Sequence, residues 1–249
     1  MDPGILIPVV GYGGHERLVA MFAKEYLRLG HEVHLLVTNG SMIAGCQMHG
    51  IGKVGFPPKR RDANRAIFTA WSFLRKHGRS FDLIHNFGRL VYLLPIINDP
   101  VKKIMTYGRE ITGSNTNKLM RIPHKNIEFT GCSQNLLSRS KARGSWHTVY
   151  NAINYDTYQL VTELPQHAPL IFLGRIEKVK GCHTAIKVAK ATNHQLIIAG
   201  NVSPLPEEKK YFEEEIQPHI DGVQIQYVGA VNDEQKNTLL GSAKHYCFL

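Results

Sequence analysis

The chain is predicted to be an α/β protein of parallel sheets covered by helices, built as two units. Three observations predict it. Apolar runs of strand length alternate with helical patterns along the whole sequence. Two strand–loop–helix junctions carry glycines, one ending in Gly13-Gly14 and the other spanning 170–181. Between the units, Thr162-Glu-Leu-Pro-Gln-His-Ala-Pro169 interrupts regular structure with two prolines.

In chain order, residues 5–7 are expected as a short first strand. The loop Pro8-Val-Val-Gly-Tyr-Gly-Gly14 leads to a helix with Leu18, Val19, Phe22, Tyr26 and Leu29 on one face. Gly30 ends that helix as a left-handed cap. Strands follow at 32–38, 81–86, 101–107, 126–131 and 146–150, and the Gly-rich stretch 40–58 is a short strand or an ordered loop. The turn Tyr150-Asn-Ala-Ile-Asn-Tyr-Asp156 closes the first unit. The boundary falls near 160–168, giving domains 1–165 and 166–249. The second unit should hold strands at 170–173, 195–199, 223–228 and 244–248. Ala185, Ile186, Val188 and Ala189 mark a helix, and Asn232 caps the last one with Gln235 as its capping-box partner. A complete doubly wound nucleotide-binding sheet has about six strands, so this unit is expected to be incomplete.

Bulk properties narrow the function. Hydrophobic content of 43% and charged content of 20% are ordinary for a globular protein. No apolar run approaches the ~20 residues that span a bilayer, and Met1-Asp-Pro-Gly lacks the basic start of a signal peptide. Cys46, Cys132, Cys182 and Cys247 form no CxxC pair, which fits reduced thiols in the cytoplasm and no metal site. The net charge of +10 is the unusual feature and implies an anionic partner. Lys59-Arg60-Arg61 and Arg139, Lys141 and Arg143 contribute to it without interleaved aromatics. A membrane surface or a phosphorylated substrate is therefore expected, and nucleic acid is not.

The most informative segment is Leu170-Ile-Phe-Leu-Gly-Arg175 running on to Lys180-Gly181. It reads as a buried strand, a turn and a helix start, with Arg175 and Lys180 at the strand's carboxyl end, where open α/β sheets bind ligands. A planar guanidinium fork and an ammonium point charge together suit a diphosphate. Backbone N–H groups at the helix start would face the same anion. A solvated basic loop is the other reading of these charges. The first glycine loop does not read as a dinucleotide site. Gly11 and Gly13 are followed by Glu16 where the fingerprint needs glycine, and Val37-Thr38-Asn39 supplies no acidic residue for a ribose.

The order Gly174-Arg175…Lys180-Gly181, Ala185-Ile186-x-x-Ala189, Leu196-Ile-Ile-Ala-Gly200, Tyr227-Val-Gly229 resembles the donor-binding half of family 4 (group 1) GT-B glycosyltransferases. Gly13-Gly14-His15-Glu16-Arg17 resembles the glycine loop opening their acceptor domain, and Gly30-His-Glu-Val-His34 their entry to the second strand. The resemblance implies two Rossmann-like doubly wound parallel-sheet domains. It implies a retaining transfer of sugar from a UDP-, GDP- or similar nucleotide sugar to an acceptor hydroxyl, such as that of a lipid-linked or cell-envelope saccharide. No cofactor or metal is implied.

Under that resemblance Arg175, Lys180 and His85 are catalytic, with His85 either facing ligand or satisfied within the core. Gly13, Gly14, Gly174, Gly181, Gly200, Gly229, Arg109, Glu110 and Asn151 bind the donor, Asn151 also lying in a turn that sets hinge geometry. The pattern departs at three places. Phe87 replaces a second histidine after His85, no histidine stands at Tyr107 or Gly108, and the Glu-x7-Glu segment expected after Phe248 is missing. The chain is then expected to transfer sugar very slowly or not at all, and to dimerise or aggregate through its incomplete domain. The alternative is an inactive GT-B remnant or interaction protein. The expected location is the cytoplasm, peripherally at the inner face of the membrane.

Overall fold

In a computed structural model the chain is described over residues 1–9, 13–55, 57–111 and 113–247. It divides into two units: Met1–Val9 with Gly13–Ile153, and a second unit starting at Asn154. All strand pairs in both are parallel.

The first unit opens with α1 (Gly14–Arg28). Leu18, Val19 and Ala23 on this helix are buried against Val33, Val37, Ile43 and Phe87, whereas Leu29, expected on the same face, is 60% exposed. Leu29 follows the last helical residue and points away from the apolar stripe. Gly30 adopts φ +86°, and the N–H groups of Gly30 and His31 close onto the carbonyls of Leu27 and Tyr26, as the cap predicts. β1 (His34–Thr38) pairs with β2 (Gln47–Gly52), so the Gly-rich stretch contains a strand. α2 (Arg60–His77) buries Ala66, Ala70 and Leu74. A second sheet runs in the order β3 (Leu83–Asn86), β4 (Lys102–Tyr107), β5 (Ile127–Gly131), β6 (Trp146–Thr148). Short helices α3 (Ser114–Leu119) and α4 (Gln134–Arg139) flank it.

Residues 5–7 do not form the expected strand. The backbone of Ile7 is bonded instead to the loop after β1. The Ile7 N–H donates to Ser41 Oγ and its carbonyl accepts from the Met42 N–H, while the Gly4 N–H reaches Thr38 Oγ1. Ile7 is buried all the same, so its apolar pattern reflects burial rather than pairing.

In the second unit β7 (Leu170–Leu173), β8 (Leu196–Ala199), β9 (Ile225–Gly229) and β10 (His245–Tyr246) take the order β10-β7-β8-β9. The expected final strand 244–248 reaches Phe248, which lies outside the described residues, as does Gly11 in the first glycine loop. α5 (Cys182–Thr192) lays Cys182, Ala185, Ile186 and Ala189 on Leu170, Phe172, Leu196 and Ile198, but Val188 faces solvent at 42% exposure. α6 (Pro206–Tyr211) continues as a wider turn through Phe212–Ile216, which puts Tyr211 and Ile216 in the same core. α7 (Asp233–Ser242) starts with the full capping box, Asn232 and Gln235 exchanging side-chain and backbone bonds of 2.8 and 2.9 Å. Ahead of the proline-bearing linker, Gln159 donates its N–H to Asn237, and the Lys236 ammonium lies 5.1 Å from the Tyr158 ring centre.

Candidate functional site

The second unit gathers its sequence-predicted residues at one sheet edge. Gly174, Gly200 and Gly229 end or follow β7, β8 and β9, with Gly174 N–H bonding Ala199 O and Gly200 N–H bonding Gly229 O (3.0 and 2.7 Å). Gly200 must be glycine. Its φ is +151°, and a Cβ there would run into the carbonyl oxygen of Gly174. At Gly174 the reverse holds, since an added Cβ would meet nothing within 4 Å. The edge is thus tightly closed between two strands and open above the first.

The loop beyond Gly174 carries the charges. Arg175 is ion-paired through Nε to Glu177 Oε1 at 3.0 Å, both side chains largely buried. This carboxylate, two residues on, fixes the guanidinium beside the sheet edge. Lys180 ends a single 3-10 turn and is exposed. Gly181 follows in the left-handed region (φ +70°) as the N-cap of α5. Lys178 does other work, bonding Glu208 through its N–H and Glu215 through its ammonium.

The start of α5 is not the set of open donors expected from the sequence. The His183 N–H donates to Tyr211 Oη at 3.1 Å, and the Thr184 N–H bonds back to Gly181 O. Tyr211 Oη also lies 2.8 Å from His183 Nδ1, and burial pushes the tyrosine pKa up to about 12, so the hydroxyl that accepts from the backbone is neutral. The groups left to face solvent at this edge are those of the Arg175–Lys180 loop and the glycine backbone.

In the first unit His85, on β3, is fully engaged. Tyr26 Oη stands 2.8 Å from Nδ1 and Thr106 Oγ1 2.7 Å from Nε2, and Thr106 passes on to Thr130 at 2.7 Å. Phe87 and Phe22 cover the ring at 4.0 and 5.2 Å between centres. Burial lowers the His85 pKa to about 4, so the imidazole is neutral at physiological pH. Of the two readings of His85, this is the geometry of the satisfied core histidine.

Sequence reasoning passed over His15. From the first turn of α1 its Nε2 lies 2.6 Å from the Phe87 carbonyl, and a Cβ at Gly108 would stand 3.1 Å from its Nδ1. One imidazole thus ties the start of α1 to the carboxyl ends of β3 and β4. Nε2–H must donate to the carbonyl, which fixes the ring's orientation. The only sequence signal was its position directly after the glycine pair. Gly13 is buried at φ +153° against Val9 and Glu16, while Gly14 is exposed at the helix start. Arg109 and Glu110 are exposed just beyond β4, and Asn151 lies exposed in the loop after β6. Among the described residues no group of three or more His, Cys, Asp or Glu side chains is placed to hold a metal ion.

Parallel α/β units with glycines at the carboxyl ends of their strands define a Rossmann-like protein. The family described as glycosyl transferases group 1 matches residues 163–249, and glycosyltransferase family 4 matches residues 12–106. Each unit thus carries a stretch matched by a glycosyltransferase family, and the parallel α/β fold agrees with the GT-B fold of such proteins. It is similar to the crystal structure of AviGT4, a glycosyltransferase involved in avilamycin A biosynthesis, with TM-score 0.66 and 23% identity over 99% of this chain. It is also similar to a glycosyltransferase from Rickettsia africae ESF-5, with TM-score 0.65 and 17% identity over 98% of this chain. The chain spans 64% of the first structure's length and 71% of the second's. No curated protein matches it.

Proposed function

We propose that the chain transfers a glycosyl group from a nucleotide diphosphate sugar to an acceptor hydroxyl with retention of anomeric configuration, and that the second unit binds the diphosphate. The observation that carries the reading is the edge formed by Gly174 and Gly200, with Arg175 and Lys180 in the loop above it. The backbone there is bare, so phosphate oxygens can approach it closely, and both cations come from the loop that follows. In the reaction the bond from the anomeric carbon to the diphosphate oxygen breaks. The acceptor oxygen forms the new bond on the same face and gives its proton to the departing diphosphate oxygen. Arg175 and Lys180 stabilise the charge that grows on the departing diphosphate. No metal enters the scheme.

Calorimetric titration with UDP and GDP tests this reading. A protein carrying Arg175→Ala and Lys180→Ala should bind the preferred nucleotide at least tenfold more weakly, since each charge-assisted contact contributes about 1.5–3 kcal/mol. Equal affinity in both proteins, or binding of neither nucleotide by the wild type, overturns the assignment.

The acceptor is proposed to sit at an anionic membrane surface. α2 supports this with an exposed stripe in which Arg61, Arg65 and Ser72 surround Phe68, itself 65% exposed. Cations bracketing a bare aromatic suit a headgroup layer. No described helix is long and apolar enough to cross a membrane, so the contact in this reading is peripheral.

A further inference from the structure

The loop beyond β7 is set among carboxylates, although an anion is its proposed ligand. Glu177 pairs with Arg175 at 3.0 Å, Glu215 pairs with Lys178 at 3.2 Å, and Glu208 accepts the Lys178 N–H at 2.7 Å. Of the cations at 175, 178 and 180, Lys180 alone has no carboxylate partner among the described residues. Negative charge beside this loop opposes the binding of an anion. A role other than charge must account for these contacts.

Three of the contacts come from one helix. Glu208 and Tyr211 stand three positions apart on α6 and Glu215 follows four further on, so their side chains share a face. Glu208 holds the N–H of Lys178 at the start of the 3-10 turn, and Tyr211 Oη holds the N–H of His183 in the first turn of α5 at 3.1 Å. Lys180 and Gly181 lie between these two fixed points. The Tyr211 ring is buried in the core with Leu170, Ile186 and Ile216, so packing sets where its hydroxyl ends. The strengths are unequal. The Lys178 and Glu215 side chains are 67% and 44% exposed, and an ion pair that open to water contributes little. Glu208 is half-buried, and its bond to the backbone is short and charge-assisted.

We propose that Glu208 and Tyr211 are positioning residues for the sugar donor, holding the two ends of segment 178–183 so that Lys180 keeps one place above Gly174 and Gly200. The proposal rests on the reading that this edge binds a nucleotide diphosphate. Neither residue touches the ligand. A loop ordered before the ligand arrives loses less conformational freedom on binding, and that gain outweighs the repulsion from the Glu208 carboxylate.

Calorimetric titration with UDP and GDP tests this on the full chain and on Tyr211→Phe, Glu208→Ala, Glu208→Gln, Glu215→Ala and Glu207→Ala, with thermal unfolding and hydrogen exchange of residues 178–183 for each. Tyr211→Phe keeps the ring in the core and should unfold within about 5 °C of the wild type. Tyr211→Phe and Glu208→Ala should each bind the preferred nucleotide about fivefold more weakly, the effect of losing one hydrogen bond. The first should speed exchange of the His183 amide and the second that of the Lys178 amide. Glu208→Gln keeps an acceptor for the Lys178 N–H without the charge and should bind at least as tightly as the wild type. Glu207→Ala removes an exposed carboxylate from the same helix, and with Glu215→Ala it should stay within about twofold of the wild type. Carboxylates acting by charge alone would give the opposite sign, with Glu208→Ala binding more tightly. That result overturns the proposal, as does wild-type affinity in Tyr211→Phe or a loss that Glu208→Gln shares. A wild type that binds neither nucleotide overturns the donor reading itself, and this proposal with it.

Discussion

Gly200→Ala is the sharpest perturbation of the donor edge. A side chain at φ +151° enters backbone territory reserved for glycine, at about 1–3 kcal/mol. The added carbon also meets the Gly174 carbonyl, so the ends of β7 and β8 must separate. That separation loosens the Gly174 N–H to Ala199 O bond between the two strands, and the altered backbone at residue 200 loosens its own N–H bond to Gly229 O on β9, each contributing about 1 kcal/mol. Together the loss is about 3–5 kcal/mol, and at roughly 4 °C per kcal/mol the thermal midpoint falls by about 12–20 °C. Gly174→Ala is the control, because its Cβ enters open space and it should unfold within about 2 °C of the wild type. Calorimetry with UDP and GDP then separates folding from binding. The stable Gly174→Ala protein should bind at least fivefold more weakly, its methyl group standing where a phosphate approaches the backbone. Wild-type stability in Gly200→Ala would refute the close approach of the two strands. Wild-type affinity in Gly174→Ala would show that no ligand rests on that edge.

His85 should make stability depend on acid. Its pKa is about 4 when folded against 6.5 for an ordinary imidazole, so below pH 6.5 unfolded chains take up a proton that the folded site refuses. Stability is complete above about pH 6.5, falls by roughly 3 kcal/mol down to about pH 4, and is flat below. Urea midpoints between pH 7.5 and 4.5 should slope less in His85→Gln, and parallel slopes would contradict the buried neutral imidazole. Asn232→Ala removes the capping box of α7 and should cost about 1 kcal/mol in urea unfolding, with Asn232→Ser recovering most of it. Co-sedimentation with anionic vesicles should be strong at low salt, weak at high salt, and reduced by Arg61→Glu with Arg65→Glu. Binding that persists in high salt would mean insertion rather than electrostatic attachment.

Much of the fold could be read from local pattern because its causes are local. Strand β7 lies at 170–173 as expected, since an apolar run bounded by Pro169 and Gly174 has few other ways to bury itself. The Gly30 cap and the Asn232–Gln235 box depend on neighbours within five residues, and both formed. Tertiary structure decided the rest. Residues 5–7 look like a strand, but Ser41 and Met42 take the Ile7 backbone first. The His183 N–H was expected to face a ligand, yet Tyr211, 28 residues on, takes it. His85 is engaged at both nitrogens only because Tyr26 and Thr106 come from other elements. His15 reaches the ends of β3 and β4 across 72 residues, a contact without any periodic signature. Sequence by itself determined the strands set by a bounded apolar run, such as β7, the residues that stop helices and where the cations fall, because each depends on a few adjacent side chains. Which donors remain open, and which glycine has no alternative, is decided by groups far apart in the chain that meet only when the sheets assemble.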